Sequence, residues 1–229
     1  MGSALDYYYN RSKIWLPMKA ENHDPVNDRT LDVSGGGNHA IFGDGVTTTT
    51  FPTKLQKRGY NFSGVAAAQR MKLATNPLTS VSTATWALLV RPAILAGYGT
   101  AYIYGHSDAS NIRAIILVTA TTLRFYSGSP TLYAGITKQR PQRGMVSLVA
   151  GGINSAGQRF VYTDGEIAVN GTGVVPSTAV TEVPRIGSSY TGATNYTGDV
   201  LWMGHWEYEL SFSQLEDLRR RLLAEVNHV

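Results

Sequence analysis

The sequence contains no cysteine. Disulfide staples and thiolate metal sites are therefore excluded, and the fold must hold by its apolar core. Such a chain also suits a reducing cytoplasm. Charge is scarce. Asp, Glu, Lys and Arg make up 16% of the 229 residues. Lys and Glu are sparse, and helix surfaces draw heavily on both. No apolar run approaches the ~18 residues of a membrane span, so no membrane crossing is expected. The first ten residues hold no basic stretch followed by an apolar one, so no signal peptide is expected. The histidines, His23, His39, His106, His205 and His228, include no pair at metal-ligand spacing. A hydrolase nucleophile elbow, G-x-S-x-G, does not occur.

What is present favours strands. Hydrophobic residues reach 43%, enough for a proper core. Gly (24) and Tyr (13) are abundant, as tight turns and half-buried sheet positions require. The net charge of +4 is mild. The basic residues lie in three small groups: Lys54/Lys57/Arg58, Lys138/Arg140/Arg143 and Arg219-Arg220-Arg221. A nucleic-acid surface gathers its cations on one stripe, so nucleic acid is not an expected partner.

Ile14 to Met18 reads as a first strand, followed by a polar, turn-rich stretch from Glu21 to Lys57. Further strands are expected at 85–91, 101–104, 112–118, 122–126, 145–150, 159–163 and 166–169. On the first of these, Trp86, Leu88 and Val90 share a face. On 122–126, Leu123 and Phe125 oppose Thr122, Arg124 and Tyr126. Asp164-Gly165 is the sharpest hairpin signal. The stretch 199–210 alternates throughout, with Val200, Trp202, Trp206, Tyr208 and Leu210 on one side. Leu201, Met203, His205, Glu207 and Glu209 fall on the other. The period then changes. Ser213 and Glu216 form a capping box, and Leu215, Leu218, Leu222 and Val226 recur at helical spacing. One domain is expected: an N-terminal arm (1–12), a β-sandwich (13–212) and a C-terminal helix (213–229).

Six segments in order resemble the concanavalin-A-like lectin/glucanase superfamily, in its laminin-G-like branch. Trp15-Leu16-Pro17-Met18 and then Asp32-Val33-Ser34-Gly35-Gly36-Gly37-Asn38 resemble its opening strand and "D-x-S-G-x-G-N" turn. Gly59 to Gly64 and Trp86 with Arg91-Pro92 resemble two of its later strands. Phe160-Val161-Tyr162-Thr163-Asp164-Gly165-Glu166 resembles its "Y-V-D-G-K/E" hairpin. Ile186-Gly187 and Gly198-Asp199-Val200 through Ser211 resemble its closing segment. The resemblance implies an all-β fold: a two-sheet antiparallel jelly-roll sandwich, here with a C-terminal α-helix. The family's usual calcium-ligand pair has no counterpart here.

Three groups of residues merit weighing as sites. Glu207 and Glu209 sit two apart, and retaining glycosidases need carboxylates about 5 Å apart. The superfamily's E-x-D-x-x-E pattern is absent, so a structural role is expected and no catalytic residue is assigned. Asp24, Asp28, Asp32 and Asp44 are dense enough to suggest calcium. Turn formation explains them better, and no cofactor is assigned. Tyr102, Tyr104, Tyr126, Tyr133, Tyr190 and Tyr196 form a candidate contact surface, because Tyr offers a flat ring with a polar tip.

Two functions follow. The resemblance implies, first, a non-enzymatic bacteriophage virion component, a capsid decoration or tail/fibre protein. It would assemble in the host cytoplasm and dock on capsid or tail proteins through loops, its arm or its helix. The alternative is a lectin-like carbohydrate-binding module that meets surface glycans. Either is compatible with a homo-oligomer.

Overall fold

The computed structural model describes residues 5–43, 53–55, 58–63, 70–76, 83–93, 101–107, 112–118, 122–128, 133–136, 141, 144–170, 182–189 and 195–227. A short helix, α1 (Asp6–Tyr9), precedes β1 (Ile14–Leu16), β2 (His23–Asp24), β3 (Arg29–Thr30) and β4 (Ala40–Phe42). Then come β5 (Thr53–Lys54), β6 (Tyr60–Ser63), β7 (Met71–Leu73), β8 (Ala84–Pro92), β9 (Ala101–Ser107) and β10 (Ile112–Val118). They are followed by β11 (Thr122–Gly128), β12 (Tyr133–Ile136), β13 (Ser147–Ile153), β14 (Arg159–Thr163) and β15 (Glu166–Asn170). β16 (Arg185–Ile186), β17 (Thr197–Trp206) and the helix α2 (Phe212–Asn227) complete the chain.

The described strands form two antiparallel sheets. The first runs β15-β14-β13-β8-β17-β6-β5, with β1 paired beside β6 along β17. The second runs β12-β11-β10-β9-β16-β7-β4-β3-β2. The sheets face each other across one core. Trp86, Leu88, Val90, Val149, Val200 and Met203 of the first sheet meet Tyr104, Ile115, Leu123, Phe125 and Ile186 of the second. The expected two-sheet sandwich with a C-terminal helix is the observed fold.

The central strands of the first sheet are buried on both faces. Its outer face carries Ala87, Leu89, Leu148, Ala150, Phe160, Trp202 and Trp206. Leu215, Leu218 and Leu222 of α2 cover these residues. Each such leucine contributes about 2 kcal/mol by leaving water. Two-sided burial explains why β8 and β13 read as nearly continuous apolar runs.

The described part of the N-terminal arm is not free. Tyr8 is buried, and its hydroxyl donates to the carboxylate of Asp217 on α2 (2.9 Å). The indole N–H of Trp206 donates to the carbonyl of Tyr8 (3.0 Å). Residues 5–12 therefore belong to the domain. The apolar face of α2 is likewise spent on the sheet.

Two local expectations shift by small steps. The helix begins at Phe212, and its cap is Ser211 with Gln214, not Ser213 with Glu216. The amide of Ser211 donates to Gln214 Oε1 (2.8 Å), and the amide of Gln214 donates to Ser211 Oγ (3.3 Å). The sequence carries two overlapping capping patterns, and Glu216 is taken by the Tyr162 hydroxyl and Arg219. The long strand β17 also breaks its alternation. Its register with β8 shifts between Val200 and Trp202, a β-bulge at Leu201. Val200 consequently faces the inner core beside Met203, whereas Trp202 and Trp206 face α2.

The Asp164-Gly165 hairpin forms as the sequence requires. Both residues have positive φ, 41° and 90°, as in a type I′ turn. Valine at position 165 would be β-branched in that region. Gly165→Val is expected to lower stability by about 1 kcal/mol or more. Urea denaturation checks this, and an unchanged midpoint would contradict the turn assignment.

Candidate functional site

With α1 and α2 over the first sheet, the outer face of the second sheet is the broad surface left without a described helix. The alternation of β11 decides which side chains reach it. Leu123 and Phe125 point into the core, so Arg124 and Tyr126 point away. On β10, Ile115 is inside while Ile112 and Ala114 are outside. Register then brings partners together: Ala114 and Tyr133 flank Tyr126, and Gly135 lies opposite Arg124. Tyr102 of β9 packs on the same cluster.

The geometry is compact. The rings of Tyr126 and Tyr133 lie 5.3 Å apart and tilted by 42°. The guanidinium carbon of Arg124 sits 4.0 Å from the centre of the Tyr133 ring. Its Nη1 donates to the Tyr126 hydroxyl (3.0 Å). A Cβ at Gly135 would lie 3.4 Å from Cγ of Arg124 and 3.3 Å from the Tyr133 ring. Glycine therefore lets the arginine stem lie close against the sheet. The result is a buried Tyr126 beside a half-buried Tyr133 whose ring face carries the Arg124 guanidinium, a cation–aromatic pair able to present apolar surface and to donate hydrogen bonds.

The six tyrosines do not form one surface. Tyr102, Tyr126 and Tyr133 gather as described. Tyr104 and Tyr196 are fully buried and belong to the inner core. Tyr104 leaves the face because β9 bulges: Ile115 pairs with Tyr104 and Ile116 with Tyr102, so Ile103 is an extra residue between them. Tyr196 packs on Phe62 (6.3 Å). Tyr190 lies outside the described residues. Arg124 escaped the sequence reading as a site residue, although its place beside Tyr126 on one strand face was legible.

The other candidates resolve into structure. Glu207 and Glu209 lie beyond the end of β17. Glu207 pairs with Lys13 (3.2 Å), and Glu209 accepts the amide of Ser155 (3.0 Å). Asp32 Oδ1 accepts the amides of Trp15 (2.9 Å) and Ser34 (3.0 Å), and Oδ2 accepts that of Asn38 (2.9 Å). Asp24 is occupied by Arg29 (2.9 Å) and Asn27, whose hydrogen bonds hold its carboxyl down at about 2. Asp28 sits in a left-handed turn (φ 45°), and Asp44 lies outside the described residues. Among the described residues no three His, Asp or Glu side chains converge. Arg219, Arg220 and Arg221 pair with Glu216 and Asp217. Arg58 pairs with Glu225 (2.6 Å). Lys57, Lys138, Arg140 and Arg143 lie outside the described residues.

A second concavity lies between α1, β1 and α2. It is lined by Tyr9, Trp15, Lys19, Arg58, Trp202 and Glu225 and holds about 140 Å³. Organic ligands fill pockets of about 300 Å³ or more. Its charges already engage one another, since Glu225 binds both Arg58 and Lys19 (3.7 Å).

Among the described helices, none is long and apolar enough to cross a membrane. No protein-family model matches the sequence. Comparison with curated proteins gives no match either. Solved structures do match in fold. Domain 4 of an extracellular GH43 arabinanase from Geobacillus stearothermophilus, in complex with arabinotriose, superposes with a TM-score of 0.66 at 16% identity, over 91% of this chain and 99% of that domain. The CBM40 of the Ruminococcus gnavus IT-sialidase, bound to α2,3-sialyllactose, gives 0.56 at 12% identity, over 72% and 98%. The binding domain of botulinum neurotoxin serotype D gives 0.67 at 13% identity and covers 98% of this chain. This chain spans about half (53%) of that binding domain and about a third (32%) of the Trypanosoma rangeli sialidase it also resembles. The fold shared with these structures is a two-sheet antiparallel β-sandwich.

Proposed function

We propose that this domain is a non-catalytic carbohydrate-binding module and that the outer face of its second sheet is the contact surface. The observation that carries this is the Tyr126–Tyr133 pair, held on a sheet face that no described helix covers. A sugar ring presents a C–H face that an aromatic floor receives, and Tyr adds hydroxyls for its rim. The likeness in fold to modules crystallised with arabinotriose and sialyllactose supports the same reading. The fold likeness favours this reading over the virion one, and the described part of the arm and the apolar face of α2, two of the surfaces a virion contact would use, pack into the domain.

Tyr133 is half-buried, so its truncation tests the surface without emptying the core. Tyr133→Ala is expected to weaken glycan binding about tenfold, and Tyr133→Phe to keep most of it. Isothermal titration with an oligosaccharide found on a glycan array measures both. A domain that binds no oligosaccharide on the array, or a Tyr133→Ala variant with unchanged affinity, would overturn the assignment.

A further inference from the structure

We infer that the sugar this surface receives carries a carboxylate and that Arg124 is the residue that recognises it. The inference rests on the glycan-binding reading above and adds a ligand class to it.

Arg124, like Arg11 over the Tyr7 ring, lies on an aromatic ring, whereas most described arginines sit beside a carboxylate. Arg29, Arg58, Arg91, Arg185, Arg219, Arg220 and Arg221 each meet an Asp or Glu. Arg124 meets none among the described residues. Its one hydrogen bond there is from Nη1 to the Tyr126 hydroxyl, a neutral acceptor. Its Nε is buried with no acceptor among the described residues, so only the Nη end can face a ligand. A guanidinium keeps its charge at any ordinary pH. Among the described residues no carboxylate compensates that charge, and it is also held in place. The Tyr133 ring lies beneath it at 4.0 Å, and Gly135 lets its stem lie against the strand.

Both properties favour an anion with two oxygens. A carboxylate matches the planar fork with two parallel charge-assisted bonds, whereas a sugar hydroxyl offers a single weaker one. A cation already fixed on an aromatic face loses little freedom when the ligand arrives. The half-buried Tyr133 beside it offers apolar surface to the same ring. An acidic monosaccharide unit combines these parts, with a charged group on the rim of a flat apolar surface. The chain's net charge of +4 also draws such ligands in.

The test is a glycan array carrying sialylated, uronate-bearing, sulfated and neutral oligosaccharides, probed with the whole chain. Binding about tenfold or more tighter to carboxylated glycans than to their neutral counterparts is expected. The best ligand is then titrated against its methyl ester, with the native protein and with Arg124→Gln. Esterification should cost the native protein about tenfold or more and leave Arg124→Gln nearly indifferent. Equal native affinity for acid and ester, or a preference for neutral glycans, overturns the inference and leaves the glycan reading standing. A preference for sulfated glycans overturns the carboxylate assignment. An Arg124→Gln variant that folds with the native thermal midpoint and still discriminates acid from ester overturns the role of Arg124. Silence on the whole array overturns the glycan reading and this inference with it.

Discussion

Replacing Gly152 by valine is expected to lower stability by about 3 kcal/mol or more. Gly152 lies on β13, between Thr85 of β8 and Phe160 of β14. Both neighbours are hydrogen-bonded strands inside a sheet, so neither can withdraw alone. A Cβ at Gly152 would collide with the carbonyl oxygen of Ala84 and approach the Phe160 ring to 2.6 Å. The preceding residue repeats the arrangement on the other face. A Cβ at Gly151 would lie 2.7 Å from Cγ of Phe125. The two glycines let one aromatic ring lie flat on each side of the strand. Gly152 does not adopt a positive φ, so the cost is steric and not conformational. Gly35 supplies the opposite control, with φ 88° and nothing within 4 Å of an added Cβ. Gly35→Ala should cost only about 1 kcal/mol, from the backbone alone. Urea unfolding of both variants tests the distinction. A Gly152→Val protein as stable as Gly35→Ala would show that the packing around β13 is wrong.

Much of this fold is legible in the order of residues, for a simple physical reason. A strand that pairs regularly keeps a period of two, and turn chemistry marks its ends. β10 and β14 occupy 112–118 and 159–163, as alternation and the Asp164-Gly165 turn demand. Legibility fails where the period is broken by a bulge. The extra Ile103 moves Tyr104 from the surface to the core, and Leu201 moves Val200 likewise. No local signal in either strand announces the extra residue, because pairing with the neighbouring strand creates it. Burial by distant segments is equally silent. Tyr8 reads as part of a polar arm until Asp217, more than two hundred residues on, accepts its hydroxyl.

The candidate site shows both behaviours. The face shared by Arg124 and Tyr126 follows from alternation within one strand. The company they keep does not, since Tyr133 and Gly135 arrive through the register of β12. Grouping tyrosines by abundance mixed core with surface. Grouping them by strand face would have separated Tyr126 from Tyr104, but only with the bulge known.

Lowering the pH from 7 to 5 is expected to destabilise this domain by about 2 kcal/mol through His205 alone. His205 is fully buried on the inner face of β17, stacked on Trp86 at 5.1 Å. Its Nδ1–H donates to the carbonyl of Thr85 (3.0 Å), and Nε2 finds no partner. Burial disfavours the imidazolium, and nearby His106, Arg113 and Lys13 disfavour it further, against the help of the Thr85 carbonyl. The pKa falls to about 3, from an ordinary 6.5. The folded state therefore holds this ring neutral, while the unfolded chain takes up a proton below 6.5. Stability from this group is complete above pH 6.5 and declines as pH falls towards 3, by about 1.4 kcal/mol per pH unit. The carboxyls of Asp24 and Asp217, both held below the ordinary range by hydrogen bonds, add their own loss only in more acid solution. The interval from 7 to 5 thus lies above the range in which these two carboxyls respond. His205→Phe keeps a ring against Trp86 and removes the titration. Its loss of stability across that interval, read from urea midpoints, should be smaller than that of the native protein by about 2 kcal/mol. Equal losses in the two proteins would show that His205 is not held neutral by the core.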